Sequence, residues 1–158
     1  MMNIILFKIF VFLLVVSLTM TGLINMAQAE KLDLSQYQWD HRLLLLFAPN
    51  QSDSQLEKQI KTLRQSACDV NDRDMLVIQF VKGPNALTLN GRILPFDENK
   101  IRTAYRTDDN NFTVILIGKD GGEKMRSQEI IAVHDIFDEI DTMPMRQDEM
   151  ESRTTLCG

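Results

Sequence analysis

The chain opens on one apolar block and then breaks into short runs whose hydrophobic spacing changes from element to element. From Ile9 to Ile24 only Ser17, Thr19, Thr21 and Gly22 interrupt the apolar residues, with Lys8 just ahead and no acidic residue before Glu30. The run is short for a bilayer span and ends in Ala27-Gln28-Ala29, the small-x-small pattern that signal peptidase accepts. Residues 1–29 are therefore expected to be a signal peptide cleaved after Ala29. The alternative is an uncleaved signal anchor, and membrane attachment is expected only through that segment. No cysteine closes the run, which argues against a lipid anchor.

Past the leader, Arg42 precedes a continuous apolar run from Leu43 to Ala48, bounded by Pro49, that predicts a buried strand. Leu56, Ile60, Leu63 and Ala67 recur at helical spacing, with Ser54 and Glu57 placed as a capping box. Met75 to Val81 predicts a second strand, and two buried strands joined by a helix are most simply parallel neighbours with a right-handed crossover. Asn90-Gly91, between alternating apolar residues from Leu87 to Leu94, predicts a small hairpin. A short helix follows over 97–106 with Ile101, Ala104 and Tyr105 inward, then a third apolar strand over 112–117. The turn Lys119-Asp120-Gly121-Gly122 sends 123–126 back antiparallel to it. A last helix is expected to start near Ser127 with Ile130, Val133, Phe137 and Ile140 inward, and to be stopped by Pro144. This order predicts an α/β, thioredoxin-like three-layer sandwich with a mixed central sheet and a small inserted hairpin. It occupies residues 30–151, a length that suits one domain, with 152–158 as a C-terminal tail.

Charge narrows the function classes. Over the sequence 17 Lys and Arg stand against 22 Asp and Glu, a formal net charge of −5 with no basic block. Nucleic-acid binding relies on clustered cations, so it is not expected. His41 and His134 fall on different elements, and no Cys/His spacing suits a ligand set, so neither metal nor cofactor is expected. His134 reads as a packed or half-exposed histidine. The acidic residues from Asp135 to Asp141 read as a solvated helix face.

The thioredoxin arrangement places a reactive thiol at the start of the first helix, where free N–H groups favour a thiolate. Here that place reads Pro49-Asn50-Gln51-Ser52-Asp53-Ser54, and Phe112 follows Asn111 where such folds carry a cis-proline. Ser52 has no histidine nearby in sequence to activate it, so no catalytic residue is assigned. The two cysteines lie elsewhere: Cys68 at the predicted carboxyl end of the first helix, and Cys157 next to the last residue. In an oxidising compartment they are candidates for a structural disulfide; the alternative is a buried Cys68 and a free tail thiol.

Several segments resemble an exported family of unknown function that occurs alone in bacteria and within animal sushi-repeat and coiled-coil matrix proteins. They are Trp39 with Arg42-Leu43-Leu44-Leu45 and Phe47-Ala48-Pro49, Arg73-Asp74, and the stretch from Leu116 to Gly122. The most specific is Asp141-Thr142-Met143-Pro144-Met145-Arg146-Gln147-Asp148-Glu149-Met150. The resemblance implies a peroxiredoxin-like or thioredoxin-like fold and carries no settled activity.

Two sets of residues are candidates for binding. Asn50 and Ser52 lie around the carboxyl end of the first strand, and Arg73 and Asp74, entering the second strand, are grouped with them. Met143, Met145 and Arg146 offer adaptable thioethers and a guanidinium. The expected function is an exported, non-catalytic module that binds a protein or envelope component, and the missing cysteine argues against an enzyme. The alternative is an oxidant-linked redox protein using Cys68 and Cys157 or its methionines. A third reading is an envelope protein with a structural role and no specific ligand.

Overall fold

A computed structural model describes residues 33–154 and 157; the expected signal peptide lies outside them. After a 3-10 turn at Leu34–Tyr37, the chain forms β1 (Arg42–Ala48), α1 (Ser54–Gln65), α2 (Ala67–Asp72), β2 (Met75–Val81), β3 (Asn85–Thr88) and β4 (Ile93–Pro95). It continues with α3 (Glu98–Tyr105), β5 (Thr113–Ile117), β6 (Glu123–Ser127), α4 (Val133–Asp141) and α5 (Pro144–Ser152). The six strands form one mixed sheet in the order β4-β3-β2-β1-β5-β6. β1 runs parallel to β2, with Arg42 opposite Met75 and Ala48 opposite Val81, and antiparallel to β5.

β1 is apolar throughout because it is covered on both faces. Leu44, Leu46 and Ala48 meet Leu56, Ile60 and Leu63 of α1 and Ile136 and Ile140 of α4. Leu43, Leu45 and Phe47 turn to the opposite core with Phe80, Phe96 and Ile101. Helix, sheet and helix therefore make the three layers of a thioredoxin-like sandwich, with the β3–β4 hairpin extending one side of the sheet. Both edge strands are blunted against pairing: β4 is three residues long and ends in Pro95, and β6 carries Glu123, Lys124 and Arg126.

Five local expectations change, the simplest being Ala104 of α3, expected inward but exposed. α1 is capped by Asp53, whose Oδ1 accepts the N–H of Gln55 and Leu56 at 3.0 Å each, so Ser54 is the first helical residue and not the cap. The first helix ends at Gln65, leaving Cys68 in the first turn of α2 and not at a helix carboxyl end. The fourth helix starts at Val133 and not near Ser127. Buried Gln59 takes both polar groups of Ile131, accepting its N–H at 2.8 Å and donating to its carbonyl at 3.0 Å, which holds that residue outside the helical ladder and leaves Ile130 exposed. Pro144 ends α4 as expected but also opens α5, because a proline loses nothing at the first helical position.

Candidate functional site

The parallel pairing of β1 and β2 separates the candidate residues into two groups at opposite ends of the sheet. Asn50 and Ser52 follow the carboxyl end of β1. Arg73 and Asp74 precede β2, and in a parallel pair they stand beside the amino end of β1. Their grouping with Asn50 and Ser52 is thus corrected: they join Met143, Met145 and Arg146.

At the carboxyl end, the chemistry is that of a turn. Asn50 and Ser52 are exposed, and Asn50 Oδ1 accepts the Ser52 N–H at 3.0 Å, which is enough to fix the loop. Phe112 is buried, and no cis peptide bond occurs among the described residues. A buried arginine, Arg102 of α3, reaches this end with its guanidinium over the Phe47 ring at 5.6 Å. Each of its nitrogens has a partner: Nη1 donates to the Asp108 carbonyl at 2.7 Å, Nη2 to the Ala48 carbonyl at 3.4 Å, and Nε faces Glu98 and Asp109 at 3.1 and 3.0 Å. Sequence reasoning passed over Arg102, which stands one position beyond Ile101 in a helix otherwise read by its apolar face.

The amino end holds a network of buried charges. Arg42, 1% exposed at the first position of β1, donates from Nη1 and Nη2 to the Glu149 carboxylate at 3.0 and 3.3 Å and from Nη1 to the Arg73 carbonyl at 2.9 Å. Lys119, from the turn after β5, reaches Glu149 and Asp74 at 2.7 Å each. Arg146 binds the Asp72 carboxylate at 2.5 Å, the Asp72 carbonyl at 2.8 Å and Asp141 at 3.0 Å. Arg73 shares Asp141 and lies over the Phe137 ring at 4.3 Å. Arg146 and Glu149, three apart on α5, face inward together. Four cations therefore alternate with four carboxylates, which is how charges survive removal from water. Burial pushes the Glu149 carboxyl up, but hydrogen bonds from Arg42 and Lys119 outweigh it and hold it below the usual glutamate range. Asp74 is lowered likewise, with burial opposing and Arg153 and Lys119 prevailing. Arg42, Asp72, Lys119 and Glu149 escaped the sequence reading as site residues. The available signal was a charge leading directly into a buried strand, together with acidic and basic residues three apart inside the most specific motif.

Beside this network runs an open groove of about 440 Å³ whose lining includes Trp39, Arg42, Lys119, Lys124, Met143 and Met145. Met143 is half-buried against the core, whereas Met145 is 38% exposed. Trp39 is 61% exposed and sits at a φ of 71°, a conformation that large L-residues rarely adopt; its N–H donates to the Lys119 carbonyl at 2.7 Å. His41, just before β1, packs edge-on to Tyr37. His134 is far more exposed than expected, three quarters of its side chain being in solvent beside Asp135.

The two cysteines are joined. Cys68 and Cys157 form a disulfide with a Cα separation of 5.8 Å across 89 residues of sequence, and no free cysteine remains. Cys157 is thus fastened to α2.

Among solved structures, a reduced 2-Cys peroxiredoxin of Plasmodium vivax matches at a TM-score of 0.55 and 18% identity, over 74% of this chain and 85% of that one. The mitochondrial 2-Cys peroxiredoxin of Plasmodium falciparum matches at 0.54 and 17%, over 77% and 86%. At such identities the likeness establishes the fold alone. In sequence, the chain is similar to coiled-coil domain-containing protein 80 of Danio rerio, 26% identical over 140 residues, and to sushi repeat-containing protein SRPX2 of Homo sapiens, 29% identical over 123 residues. These matches take in 78% and 76% of this chain but 16% and 26% of those proteins, so the chain spans only a small part of their length. The profile of a family described as a domain of unknown function, DUF4174, matches residues 33–149, from the 3-10 turn through the buried Glu149, and the chain belongs to that family.

Proposed function

We propose that this chain is an exported, non-catalytic thioredoxin-like module that binds a protein or envelope component through the groove of Trp39, Met143 and Met145. One observation carries the reading: where the fold keeps its reactive thiol there is an Asn50–Ser52 turn, and the chain's two cysteines are bonded to each other elsewhere. The buried guanidinium at that end, Arg102, is held by carboxylates and carbonyls, which supports the reading that it does not serve an incoming oxidant. The leader-like residues 1–29 and the disulfide both support an extracytoplasmic location. The groove supplies what contact surfaces favour, an exposed indole and thioethers on a rigid support.

The test uses the oxidised chain immobilised against solubilised native envelope. Saturable capture of a component that Trp39→Ala abolishes, with the fold intact, is the expected result. Absence of any saturable partner sinks the reading. The sequence contains one tryptophan, so its fluorescence reports directly on the groove as the captured component is titrated. The oxidant-linked alternative makes the opposite demand: peroxide or disulfide turnover by the purified protein, abolished by Cys68→Ser.

A further inference from the structure

α5 is held in an unusual way. Its two buried side chains are Arg146 and Glu149, while its methionines, Met145 and Met150, are 38% and 40% exposed. A helix of nine residues is marginal on its own and is ordinarily kept in place by an apolar face, which α5 does not bury. Its attachment is ionic, through Arg42, Lys119 and Asp72, and covalent, through Cys157 beyond its end.

Both attachments to α2 come from one side of that short helix. Cys68 and Asp72 are four residues apart and therefore share a face. Asp72 holds Arg146 near the start of α5, and Cys68 holds Cys157 past its end, so α2 clamps the C-terminal arm at two points. The covalent clamp is open to solvent: Cys68 is exposed and Cys157 half-buried. A disulfide within reach of a thiolate is an exchangeable one.

We propose that Cys68–Cys157 is a thiol–disulfide exchange site for a dithiol reductant, and that its opening releases α5 from the amino end of the sheet. The reductant's thiolate attacks one cysteine sulfur, breaking the S–S bond and forming a mixed disulfide. The reductant's second thiol then displaces the protein sulfur and closes its own disulfide, leaving Cys68 and Cys157 as thiols with two electrons and two protons gained. Without the cross-link, Glu149 is returned to Arg42 and Lys119 only by the local chain, and water competes for all three charges. Release also withdraws Met145 from the groove beside Trp39.

Hydrogen exchange on the intact chain, before and after treatment with dithiothreitol in the absence of denaturant, tests this. The bond is expected to open, and the amides of α5 to exchange at least about tenfold faster, while those of β1, β2 and β5 stay within about threefold. Cys157→Ser is expected to reproduce the reduced pattern without reductant; should that variant not fold, the reduced wild-type protein still gives the reading. A bond that resists dithiothreitol under native conditions overturns the proposal, as does α5 exchange that reduction leaves unchanged. Equal acceleration of α5 and the sheet also overturns it, since the disulfide would then be a staple of the whole domain.

Discussion

The two ends of the sheet are held by different kinds of contact. At the carboxyl end of β1 the side-chain hydrogen bonds are mostly local: Asn50 to Ser52, Asp53 to Gln55 and Leu56, Asp108 to Asn110 and Asn111. Arg102, which reaches Ala48 across 54 residues, and Gln59, which holds Ile131 across 72, are the exceptions. At the amino end the partners lie far apart in sequence: 107 residues for Arg42 and Glu149, 74 for Arg146 and Asp72, 68 for Arg73 and Asp141. A local turn can be altered with local consequences. A network that joins the first strand to the last helix cannot, because each member removed leaves another charge buried without its counter-ion. The end that would carry redox chemistry in a thioredoxin-like fold is thus furnished as an ordinary loop, and the opposite end is where this chain is most constrained.

The sharpest way to break that comparison is to remove one carboxylate. Glu149→Ala strips the shared acceptor from Arg42 and Lys119, whose side chains are 1% and 6% exposed, and is expected to cost about 3–5 kcal/mol in urea unfolding. Ser52→Ala, at the other end, is expected to stay within about 0.5 kcal/mol. Similar losses for the two would show that the ends do not differ.

Acid gives the second test. Glu149 and Asp74 are held below their ordinary values of 4.5 and 3.8, so the unfolded chain takes up these protons first as pH falls. Their stabilisation is therefore complete above the ordinary carboxylate range and is lost as pH drops through the lowered folded values. The urea midpoint is expected to fall steeply below about pH 4.5, and Glu149→Gln to flatten that fall. Asp108 at the other end is also lowered, by the amides of Asn110 and the side chain of Asn111, yet it is exposed, so Asp108→Asn is expected to change the profile far less.

A smaller effect checks the local end. Asp53→Ala removes the acceptor for two α1 amides and is expected to cost about 1 kcal/mol, read by the same unfolding curve.

Most of the fold could be read from the sequence because each element's pattern matched its burial. β1 and β5 read as buried strands since both of their faces are covered, and Asn90-Gly91 marked its turn since Gly91 sits at a φ of 83°. α5 escaped notice because its inward residues, Arg146 and Glu149, are charged, and hydrophobic periodicity has no term for a helix docked by ion pairs. The late start of α4 depended on Gln59, a partner 72 residues away that no local pattern announces. The amino-end site was half legible. Its motif stood out by resemblance, but which charges meet is fixed by the parallel register of β1 and β2 and by the return of the C-terminal segment to α2.

The mildest test places back what the carboxyl end lacks. Ser52→Cys puts a thiol just ahead of α1, where free amides favour the thiolate. If position alone made the catalytic end of this fold, the variant would reduce peroxide rapidly. Peroxide reduction also requires a cation to stabilise the charge that develops on the departing oxygen. Arg102, a buried guanidinium at this end, is already bound by Glu98, Asp109 and two backbone carbonyls. Ser52→Cys is therefore expected to label readily with a disulfide reagent yet to consume peroxide within about tenfold of free cysteine, followed by stopped-flow loss of the thiol. A rate orders of magnitude higher would mean that Arg102 can leave its carboxylates, and that the difference between the two ends lies in one missing sulfur and not in how the surrounding charges are held.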